Sequence, residues 1–381
     1  MRRRGVAVAS NPVVRRLDVG AGIALSPYLL GMHFHRWPEG SPLSSAPTYG
    51  FGAVRRHDYS GGPPGTAWNK IHTAPGVIDW TNLDVWVNTH HAAGRRTLYT
   101  LYGTPSWIAA DTNPDAYGAA GGASPPSDSA TGYPVLQDFI TALINRYNDG
   151  TPQGRKIWGI ETWNEPNFNV NQTGFWWGTA TELVDMTRAI VLARNASADP
   201  GVKVLSPGFV DWDFPAGSRL DTWLGASSAL EPATKGKDWI NIVALHLYGY
   251  GYDQYYAKRS DLAIANARAR MATHGISGLP IQVTEEGASE GSGADGTWDA
   301  LTDAQRGAWM ARHVILQGLW GVETVYLYAH DNTLSGDFRK PELANAINRV
   351  HTEVAGKTIT SAQFRMDGSL ELIADGDLVR I

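Results

Sequence analysis

The chain has 381 residues, 43% of them hydrophobic and 18% charged, which implies a packed globular protein of one large domain or two ordinary ones and excludes a disordered chain. Its 32 Lys and Arg against 37 Asp and Glu give 32 − 37 = −5, and the only basic run is Arg2-Arg3-Arg4, so a nucleic-acid partner is not expected. With no cysteine there are no disulfides, thiolate metal centres or Cys nucleophiles, and no apolar run reaches the ~18 residues that would span a membrane.

The first ten residues are basic but carry only Val6-Ala7-Val8-Ala9 as an apolar stretch, too short for a secretory h-region. The expected location is therefore open: cytoplasmic, or secreted with the signal missing from this sequence. Residues 11–23 are a candidate edge strand. Eight apolar, β-branched runs follow at 29–36, 51–58, 96–103, 157–164, 203–208, 240–248, 280–285 and 323–330. Helical periodicity falls between most of them, at 82–93, 134–147, 179–198, 259–274 and 304–320, with a last helix near 341–355. Eight βα units in one series, with no Gly-x-Gly-x-x-Gly turn after the first strand, predict an α/β fold: a closed (β/α)8 TIM barrel rather than an open sheet.

Two strand-to-helix connections are long. Residues 106–133 are rich in Gly, Ala, Ser and Pro and read either as a loose surface insertion or as a mobile lid over the barrel mouth; residues 286–303 are similar, with Trp298 as the bulky member. After residue 355 the period switches to two, and the pairs Asp367-Gly368 and Asp375-Gly376 mark two hairpin turns. The expected organisation is a barrel over 24–355 and a small accessory β-sheet built from 1–23 and 356–381.

In such a barrel the chemistry sits where strands end and loops begin. The fourth strand ends in Glu161-Thr162-Trp163-Asn164-Glu165-Pro166-Asn167 and the seventh in Val283-Thr284-Glu285-Glu286-Gly287. Two glutamates facing each other across one mouth, about 5–5.5 Å apart, are what a retaining glycosidase needs. If Ile281 and Val283 fill the barrel, strand alternation turns Glu285 inward with them and Glu286 toward the loop or helix layer. Glu161 is expected to pair structurally with Arg55.

These residues resemble a known group. Trp163-Asn164-Glu165-Pro166-Asn167 is similar to the acid/base motif of the clan A glycoside hydrolases, and Thr284-Glu285-Glu286-Gly287 to that clan's nucleophile motif, with Glu286 standing where an aromatic is usual. Arg55 with Asp58, Trp68, Asp79-Trp80, Asp84, Tyr99-Thr100 and Thr104-Pro105-Ser106-Trp107 extend the resemblance to glycoside hydrolase family 39 and its unclassified relatives, over roughly residues 29–330. The resemblance implies Glu165 as acid/base and Glu285 as nucleophile, acting on an oligo- or polysaccharide without cofactor or metal. The charge on Glu285 is expected to raise the pKa of Glu165, with Arg55 and a tyrosine hydroxyl holding Glu285 ionised.

Asn164 is the candidate partner of the sugar 2-hydroxyl, and Tyr248 the candidate hydroxyl on the nucleophile. His33, His35, His246 and Tyr328 are supporting candidates at strand ends; His33 and His35 read as ligands of sugar hydroxyls, with structural packing as the alternative. Trp107, Trp177 and Trp298, together with Phe175, Trp176, Trp212, Tyr250 and Tyr252, give the mouth the aromatic rim of a carbohydrate cleft. His33-Phe34-His35 also matches the opening of metal-dependent amidohydrolase barrels. Strand four there lacks the required Lys and strand five the required His, so that reading is the weaker one. A non-catalytic carbohydrate-binding relative is the third. The sugar, the linkage and the oligomeric state are not legible.

Overall fold

The computed structural model describes residues 13–34, 47–57, 65–116, 118–168, 174–211, 214–248, 260–287, 301–330 and 338–381. The predicted barrel is present. Its strands are β1 (Leu30–His33), β2 (Ala53–Arg56), β3 (Arg96–Thr100), β4 (Ile157–Glu161), β5 (Lys203–Leu205), β6 (Val243–Tyr248), β7 (Ile281–Gly287) and β8 (Val322–Leu327). They pair in parallel in that order, with β8 returning to β1. Between β5 and β6 the ring closes through a parallel bridge from Leu205 to Ile242, where Ser206 N–H donates to the Ile242 carbonyl at 3.0 Å.

Helices Thr81–Ala92, Pro134–Tyr147, Ala180–Ala196, Ser260–Thr273, Asp303–Leu319 and Pro341–Arg349 fall where the periodicity places them. Their starts are written locally. Thr179 and Thr302 each form a reciprocal capping box with the residue three along, and Pro134 and Pro341 open their helices at a position that needs no N–H donor. The short helix Arg219–Gly225 after β5 has only seven residues, too few for a clear period.

Each strand has one face toward the helices and one toward the axis. Ile281 and Val283 lie in the large hydrophobic cluster that includes Trp309, Met310 and Val314 of helix Asp303–Leu319. Ala53, Leu98, Leu205, Ala244 and Tyr326, from five different strands, form a separate small cluster, an arrangement that fits only the barrel axis. The premise that Ile281 and Val283 fill the barrel is therefore corrected: they pack beneath the helices.

The predicted accessory sheet is antiparallel. Thr358–Arg365, Leu370–Ala374 and Asp377–Arg380 form the meander, and Val13–Leu17 and Ile23–Ala24 both add to Thr358–Arg365. At its second turn Asp375 and Gly376 have φ of 50° and 92°, the left-handed pair that an Asp-Gly hairpin turn requires. Ile359, Phe364 and Leu370 of this sheet share one buried cluster with the barrel and its helices.

The connection after β3 corrects a second expectation. Residues 121–126 are buried, Trp177 N–H donates to the Ala123 carbonyl at 2.9 Å, and Ala110 and Ser127 N–H donate to Pro125 and Ile108 carbonyls. Residues 121–126 are packed into the protein rather than loose, while 112–114, 130 and 131 of the same connection are exposed. Small residues read as flexible in isolation, yet they also let backbones approach closely: a Cβ on Gly122 would lie 2.2 Å from Asp115 Oδ2. Among the described residues no helix is long and apolar enough to cross a membrane.

Candidate active site

Arg55 is the centre of the site. It stands two residues beyond Ala53, so strand alternation directs it inward one layer above the small apolar plug. Fully buried, it donates from Nε to Glu161 Oε2 at 2.8 Å, from Nη1 to Glu285 Oε1 at 2.6 Å and from Nη2 to Asn164 Oδ1 at 2.8 Å. Nη1 also lies 3.2 Å from His33 Nδ1. A guanidinium can only donate, so this contact makes His33 Nδ1 the acceptor and leaves the imidazole proton on Nε2.

Glu285 is 2% exposed and collects four groups that favour its charge. Besides Arg55, His57 Nε2 donates to its Oε1 at 3.0 Å, Tyr248 donates its hydroxyl to Oε2, and His246 Nδ1 stands 3.6 Å from Oε2. Burial opposes ionisation of this carboxyl; His246, Arg55 and His57 outweigh it and hold Glu285 well below the usual carboxylate range. The same contest brings Glu161 down to about 2, with Arg55 as the main opposing charge. Burial and the surrounding carboxylates push the Tyr248 hydroxyl well above its ordinary value, so it remains a donor.

Glu285 reaches this place by a bulge rather than by the simple alternation read from the sequence. Across from β6, Leu245 pairs with Val283 but His246 with Glu285; across from β8, Val325 pairs with Val283 but Leu327 with Glu286. One extra residue is therefore present in β7. Gln282, on the face opposite Ile281 and Val283, contacts Glu323 at 3.3 Å, and Thr284 on that same face stands near enough to Glu161 to favour its charge. The extra residue lets Glu285 follow Thr284 into the barrel, while Glu286 turns to helix Asp303–Leu319. The expected direction of both glutamates is correct, and the reason for it is different.

Glu165 follows β4 on a loop bound to the loop after β5. Its N–H donates to the Gly208 carbonyl at 3.0 Å, and its φ of 44° lies in the left-handed region that a residue with a Cβ rarely occupies. Its Oε1 accepts from His246 Nδ1 at 2.8 Å. One carboxylate oxygen each of Glu165 and Glu285 and one His246 nitrogen all lie within 4.8 Å of one another. Gly208 is needed beneath them, since a Cβ there would sit 2.2 Å from His246 Nε2 and 2.8 Å from Glu161 Oε1.

His246 links the three carboxylates. Burial disfavours its charge, but Glu285, Glu161 and Glu165 around it raise its pKa from 6.5 to about 9. A group raised on folding adds stability that is complete below its unfolded value and is lost as the pH rises through its folded one. The free energy of urea unfolding is therefore expected to fall between pH 6.5 and about 9. In His246→Asn that part of the fall should be absent. An unchanged slope in the variant would show that His246 is not charged in the fold.

The remaining predicted residues divide. Tyr328 is buried beside the site, its ring 4.9 Å from His33 and 6.2 Å from Tyr248. Trp107 donates Nε1 to the His72 carbonyl at 2.9 Å and packs edge-on to that imidazole, while Trp177 is buried and bonded by its backbone to Ala123, so both tether the connection after β3. His35 and Trp298 lie outside the described residues, as do Asp58, Trp212, Tyr250 and Tyr252. His57 is the residue sequence reading missed. Its signal was there: it stands two positions beyond Arg55 and so on the same strand face.

Among the described residues, two sets of side chains have the ligand types and spacing for a metal ion: His33, His57 and Glu285, and Glu165, His246 and Glu285. The first does not fit one, because Arg55 Nη1 already lies within 3.2 Å of His33 Nδ1 and 2.6 Å of Glu285 Oε1. In the second, His246 Nδ1 already donates to Glu165 Oε1 at 2.8 Å, so an ion there would have to displace that proton and its hydrogen bond.

This is a TIM barrel with paired glutamates at the ends of its fourth and seventh strands. No family model matches the chain, and no curated protein does. Solved structures share its fold. A family 39 β-xylosidase from Caulobacter crescentus superposes with a TM-score of 0.62 at 17% identity, over 92% of this chain and 76% of that one. A family 39 glycoside hydrolase from Bacteroides cellulosilyticus gives 0.60 at 14% identity, over 93% and 69%. A family 44 xyloglucanase from Paenibacillus polymyxa gives 0.57 at 14%, over 95% and 85%. The fold is that of the clan A glycoside hydrolases.

Proposed function

We propose that the protein is a retaining glycoside hydrolase with Glu165 as acid/base and Glu285 as nucleophile. The observation that carries this reading is the approach of the two carboxylates to within 4.8 Å at one barrel mouth, one buried among four charge-stabilising groups and the other bound mainly through His246. Oxygens this close favour the arrangement of a retaining enzyme, whose carboxyl groups stand about 5–5.5 Å apart, over that of an inverting one at about 6.5–9.5 Å.

In the first step Glu285 attacks the anomeric carbon as Glu165 gives its proton to the departing glycosidic oxygen. The glycosyl group is then held as an ester on Glu285. In the second step Glu165, now a carboxylate, takes a proton from the water that attacks the anomeric carbon, and the Glu285 carboxylate leaves. Each inversion cancels the other, so configuration is retained. Arg55 fixes Asn164 Oδ1 and thereby presents the Asn164 amide N–H2 to the sugar 2-hydroxyl. The substrate is an oligo- or polysaccharide; the xylosidase and xyloglucanase among the similar folds make β-xylosides and β-glucosides the first to assay.

A panel of aryl β-glycosides, with the anomer first released followed by NMR, tests the reading. The expected outcome is turnover with the β-anomer as initial product. Initial α-anomer would exclude the double displacement, and binding without turnover would favour a carbohydrate-binding relative.

A further inference from the structure

Glu286 stands next to the proposed nucleophile but is fully buried on the opposite side of β7. Its Oε2 accepts from Gln317 Nε2 at 2.6 Å, and its Oε1 lies 3.1 Å from His313 Nε2. Gln317 and His313 are one turn apart on helix Asp303–Leu319, both with no exposed surface, and their side-chain nitrogens are 2.7 Å apart. His313 is in turn stacked on Trp309, with ring centroids 5.0 Å apart and an angle of 8° between planes. The Glu286 carbonyl accepts from Tyr328 N–H at 2.8 Å, so main chain and side chain are both held.

A buried carboxylate is costly wherever apolar packing would serve, and this one lies within an otherwise hydrophobic helix–sheet layer. It also sits at the end of the bulge in β7. A bulge frees a strand from strict alternation, so something else must decide which way its residues face. We propose that Glu286, Gln317 and His313 form a clamp that locks the bulge and thereby aims Glu285 at the barrel axis. Glu286 is a positioning residue in this account; it touches neither substrate nor reacting atoms. The role rests on the reading of Glu285 as nucleophile for its kinetic consequence, but not for its geometric one.

The test uses Glu286→Ala, Glu286→Gln and wild type, with two readings. The first is the rate of covalent labelling by a 2-deoxy-2-fluoro aryl β-glycoside matched to the preferred sugar, followed by mass spectrometry. Displacement of a nucleophile by about 1 Å costs on the order of 10²-fold, so labelling of Glu286→Ala should slow by about 10- to 100-fold. Glu286→Gln keeps an oxygen for Gln317 and should recover most of the rate. The second reading needs no substrate: the imidazole titration of His246 by 15N NMR. His246 is faced by Glu161, Glu165 and Glu285 and by the cation Arg55, and the Glu285 charge is the largest contributor to its raised pKa. If Glu285 swings away in Glu286→Ala, the midpoint of His246 moves down, and in Glu286→Gln it stays. A change that only loosened the helix layer would lower thermal stability without moving that midpoint.

An unmoved His246 midpoint in a folded Glu286→Ala protein overturns the clamp, whatever the activity. Failure of wild type to be labelled, with the midpoint still shifting in the variant, sinks the nucleophile assignment and leaves the clamp standing. Should Glu286→Ala not fold, Gln317→Met removes the hydrogen bonds to Glu286 and His313 at similar volume and supplies the same two readings.

Discussion

Glu285→Ala is expected to lower kcat/KM on an activated aryl glycoside by about 10⁴-fold or more, because no other carboxylate can form the glycosyl ester. Azide or formate should restore turnover and give a product of inverted configuration, since a small anion fits the space of the missing carboxylate. Glu165→Ala should behave differently. Substrates with good leaving groups need no proton and should lose little in the first step, whereas poor leaving groups should lose about 10²–10⁴-fold. Azide should then yield a product of retained configuration. The two variants together separate the roles: inverted product from both, or rescue of neither, would sink the assignment. If Glu286→Ala showed the azide-rescued defect and Glu285→Ala did not, the nucleophile would be the neighbouring glutamate, against the 0% exposure of Glu286 beneath the helix.

Arg55→Met is expected to destabilise the fold by about 3–5 kcal/mol, the range for removing one partner of a buried charge pair. The side chain is wholly buried, and its loss leaves Glu161 and Glu285 facing each other with His246 and His57 as their remaining basic neighbours. Apolar volume is kept by methionine, so the loss measures charge rather than a cavity. The sign with pH follows from linkage. Arg55 holds both carboxyls below their ordinary value of 4.5, so the stability they contribute is present above 4.5 and disappears as the pH falls through their folded values, about 2 for Glu161. Without Arg55 both pKa values rise, and protonation relieves the buried charge at a higher pH. The stability deficit of Arg55→Met should therefore be smaller at pH 4 than at pH 7 in urea unfolding. The acidic limb of kcat/KM should move upward by the same cause. Equal deficits at the two pH values would mean that Arg55 serves mainly as packing.

Strand number, barrel closure and the two turns of the accessory sheet were legible because each rests on local chemistry. β-branched runs, capping boxes and Asp-Gly pairs act over a few residues, and eight of them in series leave few topologies. Arg55, Glu165, Glu285, His246 and Tyr248 were legible for a similar reason: they end strands, and strand ends converge in a barrel. His57 was missed although the same parity rule would have found it.

What required the tertiary structure was anything set by residues distant in sequence. The inward turn of Glu285 depends on a bulge against β6 and β8 and on Gln317 and His313, about 30 residues further along. The packing of residues 121–126 depends on Trp177, and the raised pKa of His246 on three carboxylates from β4, its following loop and β7. By itself the sequence determined which residue types stand at the mouth of the barrel. Only the fold decided which way adjacent residues face and which charges share one dry space, because alternation breaks at a single inserted residue and electrostatics depend on distance through space rather than along the chain.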